Sequence, residues 1–316
     1  MNHVIHLPEY GFLGISGKDA IKFFQGYSTC ELNDLDQNHS GIGATCNLKG
    51  RMLASYRLIP GEDGLLIRMD RRLVEPMIEF LKKYIVFSKA KLENLSDRFT
   101  CYGYVFNTPD ASPQITCPEG KDSWYTSELG PVICVEEDTP ALNEDNPGNH
   151  LQRCELWLDT NLVQKSPVSN ADADLWHQAE IRQGIAWVNF ETREEYLPQM
   201  LNYDKINGIS FEKGCYLGQE IVARMQYRGA LKRKLFRGTV LAEANIGDTI
   251  TNSQGRTVGA IVAASQQLIL AVVQAKENAS PESPATENDD IPTTPAMTNM
   301  TAQLANGASI SLSEVD

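Results

Sequence analysis

Cysteine, lysine and two glycines stand together at Lys213-Gly214-Cys215-Tyr216-Leu217-Gly218, and this is where the chain most plainly offers chemistry. The glycines permit close approach of the backbone to a ligand or partner. A cation two positions from a thiol favours the thiolate, which is both the nucleophile and the metal-binding form. Gln219 to Met225 reads as the start of a helix, whose N-terminal dipole would add to the effect. Gly-Cys is also a common dipeptide, so the local sequence leaves a reactive thiol and an inert one both open. Six cations follow at Arg224, Arg228, Lys232, Arg233, Lys234 and Arg237, with no acidic residue among them. Such a field suits the carboxylates of a polyglutamate tail or the phosphates of RNA, and equally a charged, aggregation-resistant strand edge.

The remaining chain must position these groups. At 316 residues it exceeds one compact domain and is expected to fold as two or three. Its seven cysteines are scattered, odd in number and without a Cys-x-x-Cys pair, which argues against a disulfide framework or a zinc knuckle. Most lie in strand-like apolar contexts and read as buried small residues. No apolar run is long enough to span a membrane and no secretory leader is evident, so a cytoplasmic protein is expected. The net charge of −13 is unevenly placed: no Lys or Arg lies beyond Lys276, whereas seven acidic residues do.

Hydrophobic patterning gives an α+β organisation. Residues 11–16 read as a strand, 20–27 as a helix capped by Ser16 or Asp19, and 43–47 with 52–59 as a hairpin turning at Gly50. A further strand is expected at 65–67. Leu73, Met77, Phe80, Leu81 and Tyr84 have helical spacing. Short strands follow at 100–106, 131–136 and 155–158, then a helix over 171–184 capped by Asn170 or Asp172. Strands at 236–241, 249–251, 259–264 and 268–273 read as a small all-β domain. Residues 275–301 are too polar to bury a core and are expected to form a disordered insertion, with 308–315 returning as the closing strand. The expected domains are 1–91, 92–158, a signature segment 159–235 that returns to the first, and 236–316.

The stretch from Ile206 to Arg224 resembles the signature of the YgfZ-type folate-binding family, relatives of the glycine-cleavage T-protein, in which Lys213, Gly214, Cys215, Tyr216, Gly218, Gln219 and Glu220 fall on a Lys-Gly-Cys-Tyr-x-Gly-Gln-Glu core. Ile15–Ala20 with Phe24–Gly26, Cys46–Arg51 and Lys83–Lys89 match in the family's order. The resemblance implies three domains around a central folate-binding channel with a C-terminal antiparallel β-barrel. It implies tetrahydrofolate or a derivative as ligand, and a role in maturing or repairing iron-sulfur enzymes, including those that modify tRNA. Tyr10 and Trp176 fall where the family contacts folate, and Arg224 and Arg228 are candidates for its glutamate tail.

The T-protein's catalytic aspartate has no match: Glu75 or Pro76 stands near its place, and Asp70 falls several residues early. A Tyr-Thr-Gly-Glu-type segment is also missing around 155–161. The expectation is therefore a folate-binding accessory protein acting through Cys215, and less readily an enzyme. One cysteine cannot hold an iron-sulfur cluster alone, so Cys215 would be one ligand of a transient, shared one. Iron-sulfur client or assembly proteins and tRNA are the expected partners. The alternatives are a folate-dependent aminomethyl or methyl transferase using Cys215, Glu220 or Asp70, and an RNA-binding module using residues 224–237.

Overall fold

The computed structural model describes residues 2–36, 38–106, 115–140, 150–162, 166–229, 231–274, 299–304 and 307–315. In chain order the elements are β1 (His3–Leu7), β2 (Tyr10–Ser16), α1 (Ala20–Gln25), β3 (Gly41–Cys46), β4 (Met52–Gly61), β5 (Gly64–Asp70), α2 (Val74–Lys82), β6 (Lys91–Asn94), β7 (Phe99–Phe106) and β8 (Trp124–Ser127). They continue with β9 (Gly130–Pro140), β10 (His150–Asp159), α3 (Ala173–Arg182), α4 (Gln219–Arg228), β11 (Arg233–Val240), β12 (Thr249–Thr251), β13 (Thr257–Ser265), β14 (Leu268–Gln274), β15 (Asn299–Leu304) and β16 (Ser309–Glu314).

These strands form two five-stranded sheets, ordered β3-β4-β5-β2-β6 and β1-β7-β10-β9-β8, and a closed six-stranded barrel ordered β11-β14-β13-β12-β15-β16. All pairings are antiparallel. The expected α+β class and terminal barrel are thus present. β16 is the returning strand, paired with both β11 and β15. Of the expected disordered insertion, 275–301, residues 275–298 lie outside the described residues, while 299–301 instead begin β15, which pairs with β12 and β16.

The period-two alternation of strands explains how one sheet serves two cores. Along β2, Leu13 and Ile15 enter the core shared with α1 and α2, while Tyr10 and Phe12 face the second sheet. In β5, Leu65, Ile67 and Met69 take the first side, and Leu66 the second. The barrel does likewise: Ile269, Ala271 and Val273 fill its interior, and Leu270 and Val272 join the first core. Both faces of these strands are covered, which is why they read as near-continuous apolar runs.

Charges cross the interface between the sheets. Arg68, fully buried, donates to Glu155 from Nη2 at 2.6 Å and Nε at 3.2 Å, and Trp157 Nε1 donates to the same carboxylate at 2.8 Å. Arg57 reaches Asp122 at 2.5 Å. Arg153 holds Glu136 at 2.8 Å and Gln183 of the α3 C-terminus at 2.6 Å.

Two local expectations change. β1 was expected in the first domain, but it pairs with β7 of the second sheet, His3 opposite Val105 through Leu7 opposite Cys101. A pairing across some ninety-five residues leaves no local signature. Asp19 stands at the N-cap of α1 without capping it, because its carboxylate accepts from the Lys89 N–H at 2.8 Å. Asp172 does cap α3, accepting from Asp174 N–H.

Candidate functional site

The signature loop turns its lysine and tyrosine inward and its cysteine outward. Lys213 is 7% exposed, and its ammonium donates to the carbonyls of Gln25 at 3.0 Å, Ser28 at 2.7 Å and Cys30 at 2.7 Å. Gln25 ends α1, where carbonyls lack intrahelical donors and the dipole favours a cation. The ring of Tyr216, also buried, lies 5.3 Å beneath the ammonium. Burial lowers the Lys213 amine to about 8.

This corrects the expectation that Lys213 activates the neighbouring thiol: its ammonium is taken up by three carbonyls and anchors the loop. Leu217 N–H adds a tether to Gly26 at 3.0 Å. Gly218 has φ +83°, and a Cβ there would stand 2.5 Å from the Asn47 carbonyl, so the turn into α4 needs glycine. Gln219 folds back to accept the Tyr216 N–H, and Glu220 is exposed in the first turn of α4. Gly214 has open space around it. Cys215 is exposed, whereas the other six cysteines are buried. Among the described residues no group of three or more His, Cys, Asp or Glu is placed to hold a metal ion.

A second feature lies where the first sheet, α3 and the barrel meet. A cavity of about 210 Å³ is lined by Glu9, Tyr10, Asp70 and Arg72 from the first sheet and its flanks, by His177, Glu180, Ile181 and Ile185 at α3, by Trp187 to Asn189, and by Ile246 and Val262 to Ala264 of the barrel. Its polar centre is Glu180, 7% exposed. Trp187 Nε1 donates to it at 2.8 Å, and the Tyr10 hydroxyl lies 3.4 Å from both oxygens. His177 bridges Glu9, at 3.1 Å, and Glu180, at 3.5 Å.

Burial opposes charge on both partners, yet each holds it. The hydrogen bonds and charges of Glu180 and Glu9 outweigh burial and carry His177 up to about 10. For Glu180, burial pushes up, but His177, Arg68 and Arg153 prevail and hold the carboxyl below its usual range. At neutral pH the site therefore contains an imidazolium between carboxylates. Arg68 stiffens the wall from behind, sandwiched 4.0 Å from the Tyr10 ring and 4.3 Å from Trp187.

Of the residues expected to contact folate, Tyr10 lines this cavity and Trp176 does not. Trp176 is fully buried among the second core's side chains, below Arg153 at 4.7 Å, and packs so tightly on Gly103 that a Cβ there would come within 2.4 Å of its ring. Trp176 packs into the second core while His177, Glu180 and Ile181, at i, i+3 and i+4, line the cavity; Trp176 and Glu180 are four residues apart and about 40° round the helix, so packing and not the helical wheel parts them. The His-x-x-Glu spacing at 177 and 180 is the feature of the sequence that marks this pair. Arg224 is exposed on α4 and absent from the cavity wall; the side chain of Arg228 lies outside the described residues. The cations on the cavity wall are His177 and Arg72, and Arg72 is paired with both Asp70, at 2.8 Å, and Glu191.

The basic run is divided: Lys234 pairs with Glu314 at 2.5 Å, and Arg237 donates to the Arg182 carbonyl. Asp70, early for the T-protein's aspartate, nevertheless stands on the cavity wall. It accepts from Arg72 N–H at 2.8 Å, from the Arg72 side chain, and from Phe190 N–H at 3.3 Å. Glu75 is turned away to accept from Asn94 at 2.7 Å.

Two antiparallel sheets and a closed barrel, with α3 closing a cavity between the first sheet and the barrel, make a glycine-cleavage T-type fold. The crystal structure of glycine cleavage system aminomethyltransferase T from Bartonella henselae superposes over 100% of this chain and 85% of its own, with a TM-score of 0.65 at 11% identity. No protein-family model matches the chain. Among curated proteins, the tRNA-modifying protein YgfZ of Photobacterium profundum is 32% identical over 256 residues, 80% of this chain and 75% of the relative. That of Colwellia psychrerythraea is 31% identical over 234 residues, 74% and 70% respectively. The chain belongs to the YgfZ family. No helix among the described residues is long and apolar enough to cross a membrane.

Proposed function

We propose that this chain is a tetrahydrofolate-binding accessory protein that supports tRNA modification by way of iron-sulfur enzymes, with Cys215 as its working thiol. The observation that carries the folate half is Glu180: a buried carboxylate, held ionised, at the centre of a cavity walled by Tyr10, Trp187 and aliphatic side chains. The 2-amino-4-oxo edge of a pterin offers two parallel N–H donors, the complement of a carboxylate. Its flat ring suits a narrow aromatic and aliphatic slot. A cavity of about 210 Å³ takes the bicyclic ring and not a whole folate, leaving the acidic tail outside it. When bound, the folate would supply a one-carbon carrier, while Glu180 and Tyr10 orient its ring.

The tRNA half rests on the curated relatives, both called tRNA-modifying proteins. Exposure of Cys215 alone among seven cysteines supports its use towards a partner thiol, a sulfur species or a shared cluster. Restoring function to cells that lack the protein separates the two halves. Glu180→Gln should lose tetrahydrofolate binding, whereas Cys215→Ala should keep it, and neither should restore iron-sulfur enzyme activity. Full activity from Cys215→Ala would overturn the role of the thiol.

A one-carbon transferase is the second reading, and the place of Asp70 on the cavity wall favours it. Both Asp70 oxygens are already engaged by Arg72, which suits a fixed wall better than a proton carrier. Turnover of a methylated amine with tetrahydrofolate, lost in Asp70→Asn, would establish it.

A further inference from the structure

We infer that the face beside Cys215 binds unpaired RNA, along a track of aromatic rings and lysines that begins at the signature loop and is separate from the central cavity. The Leu217 N–H is held by Gly26, and Tyr27 is the next residue. The Tyr27 ring lies 5.1 Å from that of Tyr84. Tyr84, 40% exposed, leads directly into Val86 and Phe87, which are 72% and 98% exposed. A side chain as large as Phe87 left wholly in water, at the end of a ladder of rings, is unexplained by the core.

Charge identifies the occupant. The chain carries a net −13, yet residues 82–91 contain four lysines and no acid, and Lys22 projects from the neighbouring helix α1. Asp19, which accepts from the Lys89 N–H at 2.8 Å, is outnumbered by these lysines. Lys22, Lys83 and Lys89 are exposed and have no ion pair among the described residues. The exposed rings of Tyr84 and Phe87 beside unpaired ammonium groups offer the stacking faces and the charge that a single strand needs. An anionic lipid surface would be served by the apolar tip and lysines alone and gives no role to the Tyr27–Tyr84 ladder. Cys215, at one end of the track, would then stand beside the bound strand. Binding here does not require the folate cavity.

Fluorescence anisotropy of a labelled twelve-residue oligouridylate with the full-length protein tests this. Phe87→Ala, at a wholly exposed position, should weaken binding at least about fivefold by loss of one stacked base. Lys83→Ala/Lys89→Ala should weaken it and reduce the slope of log affinity against log salt by about 1.4. Arg224→Ala and tetrahydrofolate titration of the Phe87→Ala protein should be unchanged. No binding of the oligouridylate, binding indifferent to the Phe87 and lysine changes, or loss on Arg224→Ala instead would overturn the assignment. So would capture by phosphatidylglycerol vesicles in preference to the oligonucleotide.

Discussion

Lys213→Met separates an anchoring lysine from a thiol-activating one. Methionine keeps the apolar stem but removes the ammonium that donates to Gln25, Ser28 and Cys30. Ser28 and Cys30 are 0% and 5% exposed, so their carbonyls would lose a donor out of reach of water, at about 1–3 kcal/mol each. Against this, the variant escapes the desolvation that lowers the amine to about 8 from 10.5, worth roughly 3 kcal/mol. Together the two carbonyls cost about 2–6 kcal/mol, so at the midpoint they outweigh that relief by about 1 kcal/mol. Urea unfolding would measure it, and the rate of Cys215 alkylation by a maleimide reports on the loop. An anchor predicts lower stability together with unchanged or faster alkylation, since the loop is freed. Slower alkylation at unchanged stability would refute the reasoning, because only a lysine that serves the thiol gives that pattern.

Three further outcomes follow from the same structure. His177, raised from 6.5 to about 10, contributes fully below about pH 6.5; as pH rises towards 10 the unfolded chain releases its proton first and that contribution is lost. Because the side chain is 31% exposed we expect about 2 kcal/mol lost across that window, with a flatter urea-midpoint profile in His177→Gln. Gly103→Val should cost about 2–3 kcal/mol and alter the near-ultraviolet signal of Trp176, which sits where the new Cβ would go; an unchanged spectrum and midpoint would show that the helix can shift. Glu155→Gln should destabilise by about 3–5 kcal/mol through the buried charge left on Arg68, whereas Arg68→Met/Glu155→Leu should cost clearly less, and equal losses would deny that the pair acts as a unit.

What the sequence discloses depends on how local the cause is. The barrel strands, the hairpin at Gly50 and the return of β16 follow from period-two patterning and turn residues. The exposure of Cys215 fits its small, polar surroundings. The pairing of β1 with β7, the course of the Lys213 ammonium and the choice between Trp176 and His177 depend on partners elsewhere in the chain. Helical spacing leaves Trp176 and Glu180, four residues apart, on one side of α3 and does not say which of them meets the cavity between the first sheet and the barrel. Glu180 escaped for the same reason: its neighbours Tyr10 and Trp187 lie 170 and seven residues away, and only the fold brings both to it.

The folate site is tested most directly by calorimetric titration of the reduced protein with 5-formyltetrahydrofolate, comparing wild type with Glu180→Gln and Trp176→Phe. A charge-assisted pair with the pterin edge predicts affinity weakened about ten- to a hundredfold in Glu180→Gln. Trp176, buried away from the cavity, should bind unchanged when replaced by Phe. Equal affinity in wild type and Glu180→Gln, with loss in Trp176→Phe, would contradict the account.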